Sequence, residues 1–170
     1  LAYCLLTPQS SAVNAGAAIE RLRKAGFPGS NLDPAEILNS RTQYVRFHNT
    51  KARRLREAKE QLPEILAALH SGASSAETRM WLVRNVNGLG WKESSHFLRN
   101  IGHRDLAILD RHIMKNLKRH SVIRVVPQTL TPARYVAIEQ KFLRFAEALG
   151  IPMDELDLLF WSRETGEILK

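Results

Sequence analysis

The sequence predicts an all-α protein, and three observations carry that prediction. Apolar residues recur at helical intervals through most of the chain. Helix-starting pairs such as Asp33-Pro34 and Thr131-Pro132 precede those stretches, and Gly26, Gly72 and Gly150 close them. No run shows the strict apolar–polar alternation, bounded by hairpin turns, of a half-buried strand. The chain has 170 residues, 44% of them hydrophobic, enough for one domain or for two small helical lobes sharing a core.

Taken in order, residues 1–6 (Leu1 to Leu6) form an apolar run too short, and without the basic flank, to be a signal peptide. They are expected to be the end of a helix that begins in N-terminal residues absent from this sequence. Thr7-Pro8-Gln9-Ser10 breaks the pattern. Residues 13–24 follow as a helix stopped by Gly26, with Pro28 beyond, and Asp33-Pro34 starts the next. Residues 44–60 read as one long basic helix carrying Arg46, Lys51, Arg53, Arg54, Arg56 and Lys59. A short helix runs from Gln61-Leu62-Pro63 to His70. Ser74 and Glu77 have the spacing of a capping box, and Ala76, Met80 and Val83 mark the expected buried face of that helix. The β-branched cluster at 122–127 sits in a connection. From Thr131-Pro132 a long helix turns Ile138, Phe142, Phe145 and Leu149 inward. The last helix, 154–165, has acids in its first turn, where the helix dipole favours them.

Composition narrows the partners. The formal charge is +8, from 25 Lys+Arg against 17 Asp+Glu, and the pI is about 10.1, a balance that favours a polyanion. No run approaches the roughly 18 apolar residues of a membrane span. The single cysteine, Cys4, excludes internal disulfides, a four-cysteine zinc site and an iron–sulfur cluster held by this chain alone. An intracellular, reducing setting (cytoplasm or nucleoid) is expected.

The chemistry gathers around Val86-Asn87-Gly88-Leu89-Gly90-Trp91-Lys92 and around Asp110, eighteen residues after the lysine. A helix over 74–85, a turn pinned by Gly88 and Gly90, and a helix over 91–101 make a helix-hairpin-helix. Glycine accepts positive φ and permits close backbone approach. The amides at the start of the second helix, with the dipole behind them, suit a phosphate. Such contacts position a duplex without reading its sequence. An ordinary helical hairpin with no ligand shares this pattern, although Ser94 and Ser95 are small enough to let the helices approach.

Lys92 stands in the first turn of a helix, where the dipole disfavours a cation. The field and partial burial together favour the neutral amine, a usable nucleophile. Against a sugar C1′ such an amine would expel the base and form a Schiff base, from which the 3′ phosphate leaves by elimination. A plain phosphate contact is the alternative. Asp110 is placed to cap the helix 110–119. The capping carboxylate could also stabilise an oxocarbenium-like transition state and help take the lysine's proton.

Gly88-Leu89-Gly90-Trp91-Lys92, Asp110 and His112 resemble the helix-hairpin-helix DNA glycosylase superfamily, in which the lysine marks the bifunctional branch. Within it the chain is similar to the compact type-2 8-oxoguanine DNA glycosylase/lyases. That resemblance includes Leu5-Leu6-Thr7-Pro8-Gln9-Ser10, residues 44–52, residues 91–100, Trp161 and the end Thr165-Gly166-Glu167-Ile168-Leu169-Lys170. Endonuclease III shares the hairpin but carries a four-cysteine loop that this chain lacks.

The resemblance implies two helical lobes with the hairpin (74–101) at their junction, a DNA-binding cleft between them and a C-terminal helical part over 102–170, all one glycosylase domain. It also implies a monomer that acts on double-stranded DNA containing 8-oxoguanine and flips the base out. Lys92 and Asp110 would be catalytic, and Gly88, Gly90, Gln9 and His112 would meet DNA. Gln9 would fill the gap left by the flipped base. Trp161 would stack on that base, with Phe47 or His48 opposite, and the α-carboxylate of Lys170 would accept the N7–H that guanine lacks. No redox cofactor or catalytic metal is implied; the hairpin carbonyls are where Na⁺ or K⁺ would sit. His96 is expected to be structural. The residues alone leave open a related enzyme for another damaged base, a non-catalytic DNA clamp and a helical protein-interaction domain.

Overall fold

A computed structural model describes residues 1–27 and 29–166. Its helices are α1 (Ala2–Leu6), α2 (Ala12–Lys24), α3 (Pro34–Leu38), α4 (His48–Glu60), α5 (Leu62–Leu69), α6 (Ser75–Asn85), α7 (Trp91–Asn100), α8 (Arg111–Arg119), α9 (Pro132–Leu149) and α10 (Met153–Thr165). No strand occurs among the described residues. The chain forms two compact units, Leu1–Gly90 and Trp91–Lys170, so the boundary in sequence falls inside the hairpin. No helix among the described residues is long and apolar enough to cross a membrane.

In the first unit, α1 packs on α2 and α4, and α3 packs on α4. Leu5, Leu6, Ala15, Ala18, Ala52 and Leu55 fill the space between them. The expected caps are present. Asp33 accepts from the Ala35 amide (3.0 Å) ahead of Pro34. Ser74 and Glu77 exchange the two bonds of a capping box, 3.3 and 2.9 Å. Two expectations need correction. The basic helix begins at His48, because Phe47 is left-handed (φ +61°) and the amides before it are used elsewhere. Val45 N donates to Leu38 O (3.0 Å) and Arg46 N to Ser10 Oγ (2.9 Å). The buried face of α6 is Thr78, Arg79 and Leu82, while Ala76 and Met80 are exposed. Alanine and methionine are good helix formers in either setting, so their spacing alone does not fix the face.

In the second unit, α8, α9 and α10 enclose a core that includes Ile113, Leu117, Ile138, Phe142, Leu156 and Phe160. Phe142 and Phe160 stack with centroids 6.0 Å apart. On α9 the inward stripe is Tyr135, Ile138, Glu139, Phe142 and Ala146. Leu149, expected inward, is 49% exposed, because the stripe runs from Phe142 to Ala146 and the helix ends at Gly150 (φ +65°).

The segment 106–109 ahead of α8 has no strand beside it, yet Leu106, Ala107 and Leu109 are buried. Side chains supply the partners. Ala107 N donates to Glu139 Oε2 (2.8 Å), Ile108 N to Asp157 Oδ2 (3.0 Å) and Leu109 N to Tyr135 Oη (3.3 Å). The tyrosine hydroxyl in turn donates to Ala107 O at 2.6 Å. Arg99 reaches Asp157 Oδ2 at 2.7 Å and Asp154 O at 2.8 Å, tying the end of α7 into the cluster. Burial pushes the Asp157 carboxyl up to about 6, against the opposing pull of Arg99.

Two tests follow from this cluster. Tyr135→Phe keeps the ring but strips partners from the Ala107 carbonyl and the Leu109 amide. It should lower unfolding free energy by about 1–3 kcal/mol in urea titration, and an unchanged midpoint would refute the role given to the hydroxyl. Asp157 titrates at 3.8 when unfolded and about 6 when folded, so the folded chain holds a proton that the unfolded chain releases. Its contribution to stability is therefore full below about pH 4, falls as pH rises through about 6 and is level beyond, an effect of roughly 3 kcal/mol at most. The stability difference between the wild type and Asp157→Asn should change between those pH values and be constant above pH ~7. A difference that is flat throughout would contradict it.

Candidate active site

In the second unit the local sequence explains how Lys92 is set. Trp91 opens α7 and lays its ring against Tyr135, centroids 5.7 Å apart, which fixes the start of the helix on the core. Lys92 follows with its side chain 41% exposed, and Glu93 Oε1 lies 3.1 Å from its Nζ. The sequence reading missed this carboxylate, which supplies in the same turn the negative charge that the dipole favours. One turn on, His96 is half-buried. Burial first, then the cations of Arg99 and Lys92, hold its imidazole below the usual value, so it is neutral near pH 7. Ser94 and Ser95 are fully buried, and Ser95 Oγ lies 3.5 Å from the Tyr135 hydroxyl.

Asp110 caps α8 as expected. Its backbone is extended (φ −91°, ψ −178°), and Oδ1 accepts from the amides of His112 and Ile113, both at 2.8 Å. One oxygen thus takes both bonds and the other stays outside the cap. Arg111 Nε donates to His112 Nε2 at 3.1 Å. Trp161 lies on α10, partly buried against the core of this unit. Lys170 lies outside the described residues. Lys92, Asp110, His112 and Trp161 therefore belong to one unit.

Gln9, Phe47, His48, Gly88 and Gly90 belong to the other. Gln9 is exposed with φ +54°, and Phe47 is 48% exposed with φ +61°. The Arg46 guanidinium stands over the Phe47 ring at 5.0 Å, and Tyr44 Oη lies 3.2 Å from His48 Nδ1. Gly88 has φ +96°, and a Cβ added there would lie 2.5 Å from Arg54 Cδ. Only glycine fits such a turn, for both reasons. Asn87 Nδ2 donates to Glu57 Oε2 at 2.9 Å, so α4 braces the turn twice. Gly90 is exposed immediately before α7. Lys51, one cation of the basic helix, is only 2% exposed. The sequence did contain a signal: Lys51 shares its helix face with Leu55 and Ala58, both buried. Among the described residues no group of three or more His, Cys, Asp or Glu side chains is placed to hold a metal ion.

Comparison with known proteins identifies the family. A family model described as 8-oxoguanine DNA glycosylase matches residues 1–151. The 8-oxoguanine DNA glycosylase/AP lyase of Fusobacterium nucleatum is 44% identical over all of this chain and 80% of its own length. The crystal structure of the Methanocaldococcus jannaschii 8-oxoguanine glycosylase/lyase, in complex with a 15mer DNA containing 8-oxoguanine, superposes with a TM-score of 0.88. The two are 31% identical, over 99% of this chain and 80% of that one. The 8-oxoguanine DNA glycosylase of Thermotoga maritima gives a TM-score of 0.84 at 34% identity, over 99% and 79%. With the family model spanning most of the sequence and a relative this similar along the whole of this chain, the chain belongs to the 8-oxoguanine DNA glycosylase family.

Proposed function

We propose that this chain excises 8-oxoguanine from double-stranded DNA as a bifunctional glycosylase and AP lyase, with Lys92 as nucleophile and Asp110 as its electrostatic partner. Family membership supports the reaction class. The observation that carries the residue assignment is the presence, within one unit, of an amine in the first turn of α7 and a carboxylate fixed at the start of α8.

The Lys92 nitrogen lone pair forms a bond to C1′ as the C1′–N9 pair departs with the base, which takes up a proton. As one N–H proton of the adduct passes to O4′, the C1′–O4′ bond opens towards that oxygen and leaves a protonated imine on Lys92. Loss of a C2′ proton moves electrons toward the imine, and the 3′ phosphate leaves in the β-elimination. The amine needs a proton acceptor first. Glu93, at 3.1 Å, is within transfer distance, which leaves Asp110 ionised. Positive charge develops on C1′ and O4′ as the base departs. The Asp110 oxygen outside the cap is a fixed negative charge that would stabilise it.

The amides of the hairpin and of the first turn of α7 are assigned to a DNA phosphate. Gln9 is assigned to the space vacated by the base, Trp161 to one face of that base, and Phe47 or His48 to the other. The protein works as a monomer inside the cell.

Borohydride trapping on a duplex carrying one 8-oxoguanine should give a covalent protein–DNA adduct, and Lys92→Gln should give none. An adduct of undiminished yield in Lys92→Gln would assign the Schiff base to another amine. Trapping on an abasic duplex but not on 8-oxoguanine would keep the lyase and remove the substrate. Asp110→Asn retains an acceptor for the cap but not the charge. Its single-turnover excision rate should fall about 10²–10³-fold with stability nearly unchanged, whereas Asp110→Ala should also lose about 1 kcal/mol. Equal rates for Asp110→Asn and the wild type would remove the electrostatic role.

A further inference from the structure

Lys51 is one of the largest fully buried side chains in the protein, and nothing in the Schiff-base chemistry uses it. Its ammonium has three N–H donors, and three oxygens meet them: Leu6 O at 2.6 Å, Pro8 O at 2.7 Å and Ser10 Oγ at 2.9 Å. Two of those acceptors flank Gln9 in the chain. Ser10 is held from two further sides, since its Oγ accepts from Arg46 N (2.9 Å) and its own amide donates to Thr7 O (3.0 Å). Inside this clamp Gln9 adopts φ +54°, a conformation that a residue with a Cβ rarely adopts, while its side chain remains exposed.

A buried cation is an unfavourable way merely to close a short helix, because water would serve the same carbonyls without desolvating a charge. The unfavourable burial is visible in the group itself: desolvation, then the neighbouring Arg54, draws the Lys51 ammonium down to about 8. Strained backbone persists only where its surroundings over-determine it, and here the clamp does so.

We propose that Lys51 is the positioning residue of the Gln9 turn, holding its left-handed backbone so that the exposed amide side chain meets the base stack in one orientation. This rests on the reading of Gln9 as the residue that enters the space left by the extruded base. Lys51 does not touch the reacting atoms; it acts through Gln9.

The test combines a local structural reading with a kinetic cycle. Lys51→Met removes the donors at similar volume. Hydrogen exchange of a peptide covering residues 7–11 should accelerate about ten-fold or more in that variant, with peptides from α5 and α8 unchanged. Single-turnover excision of 8-oxoguanine should slow about ten-fold, and more than nicking of a preformed abasic site. In a Gln9→Ala background, adding Lys51→Met should slow excision no further. Unchanged exchange at 7–11 overturns the clamp. Independent, multiplying losses in the double variant overturn action through Gln9. If Gln9→Ala alone excises at the wild-type rate, the gap-filling reading fails, and the exchange experiment still decides whether Lys51 holds the turn. Should Lys51→Met not fold, Ser10→Ala removes one of the three acceptors and the partner of the Arg46 amide, and the same readings decide.

Discussion

A buried stretch of extended chain must find partners for its amides, and residues 106–109 have no neighbouring strand to provide them. Glu139, Tyr135 and Asp157 do so from α9 and α10, and Arg99 of α7 shares the Asp157 carboxylate. Hydrogen bonds with charged partners contribute more than neutral ones, but the larger effect is the penalty when any member of the set is missing. The segment therefore has one acceptable position, and that position delivers Asp110 to the start of α8. Because Arg99 lies on the helix that carries Lys92 in its first turn, the same carboxylate also fixes the far end of that helix. The two proposed reacting groups are thus referenced to one buried node, although neither takes part in it.

The first unit solves a similar problem with a helix. Along α4, Lys51, Arg54 and Glu57 follow one another at helical spacing and serve two turns. Lys51 bonds to the oxygens on either side of Gln9, Arg54 lies in the space where Gly88 lacks a Cβ, and Glu57 accepts from Asn87. One rigid element therefore holds both the Gln9 turn and the hairpin turn. A side chain carried by a strained turn needs such a brace to be presented in a single orientation.

This arrangement separates what the sequence made legible from what it hid. Helix starts and stops were readable because they are local: Asp33-Pro34, the Ser74 and Glu77 pair and Gly150 act within a turn of themselves. The Gly88-to-Lys92 hairpin and the Asp110 cap were readable for the same reason. Hidden features depended on partners far along the chain. Phe47 ends up left-handed where Ser10, thirty-six residues before Arg46, takes the Arg46 amide. Asp157 and Glu139 are buried because segment 106–109, distant in sequence, brings its amides to them. The buried face of α6 was hidden because it includes Thr78 and Arg79, whose polarity pointed outward.

Lys51 also changes what the strong positive charge means. A net charge of +8 reads as a surface for a polyanion, yet part of the positive charge is engaged by groups of the protein itself. Lys51 is buried among carbonyls, Lys59 donates to Ser30 O at 2.7 Å and Arg99 lies between Asp154 and Asp157. Lys115 and Arg119 share Glu164, and Arg56 pairs with Asp33. The salt dependence of DNA binding follows the number of phosphates neutralised, not the net charge. Grip that relies on backbone amides and a helix start adds few released counter-ions per contact, because those groups carry partial charge. A protein built this way should lose affinity with salt less steeply than its composition implies, because cations such as Lys51, Lys59 and Arg99 belong to the scaffold that aims a few groups at the DNA.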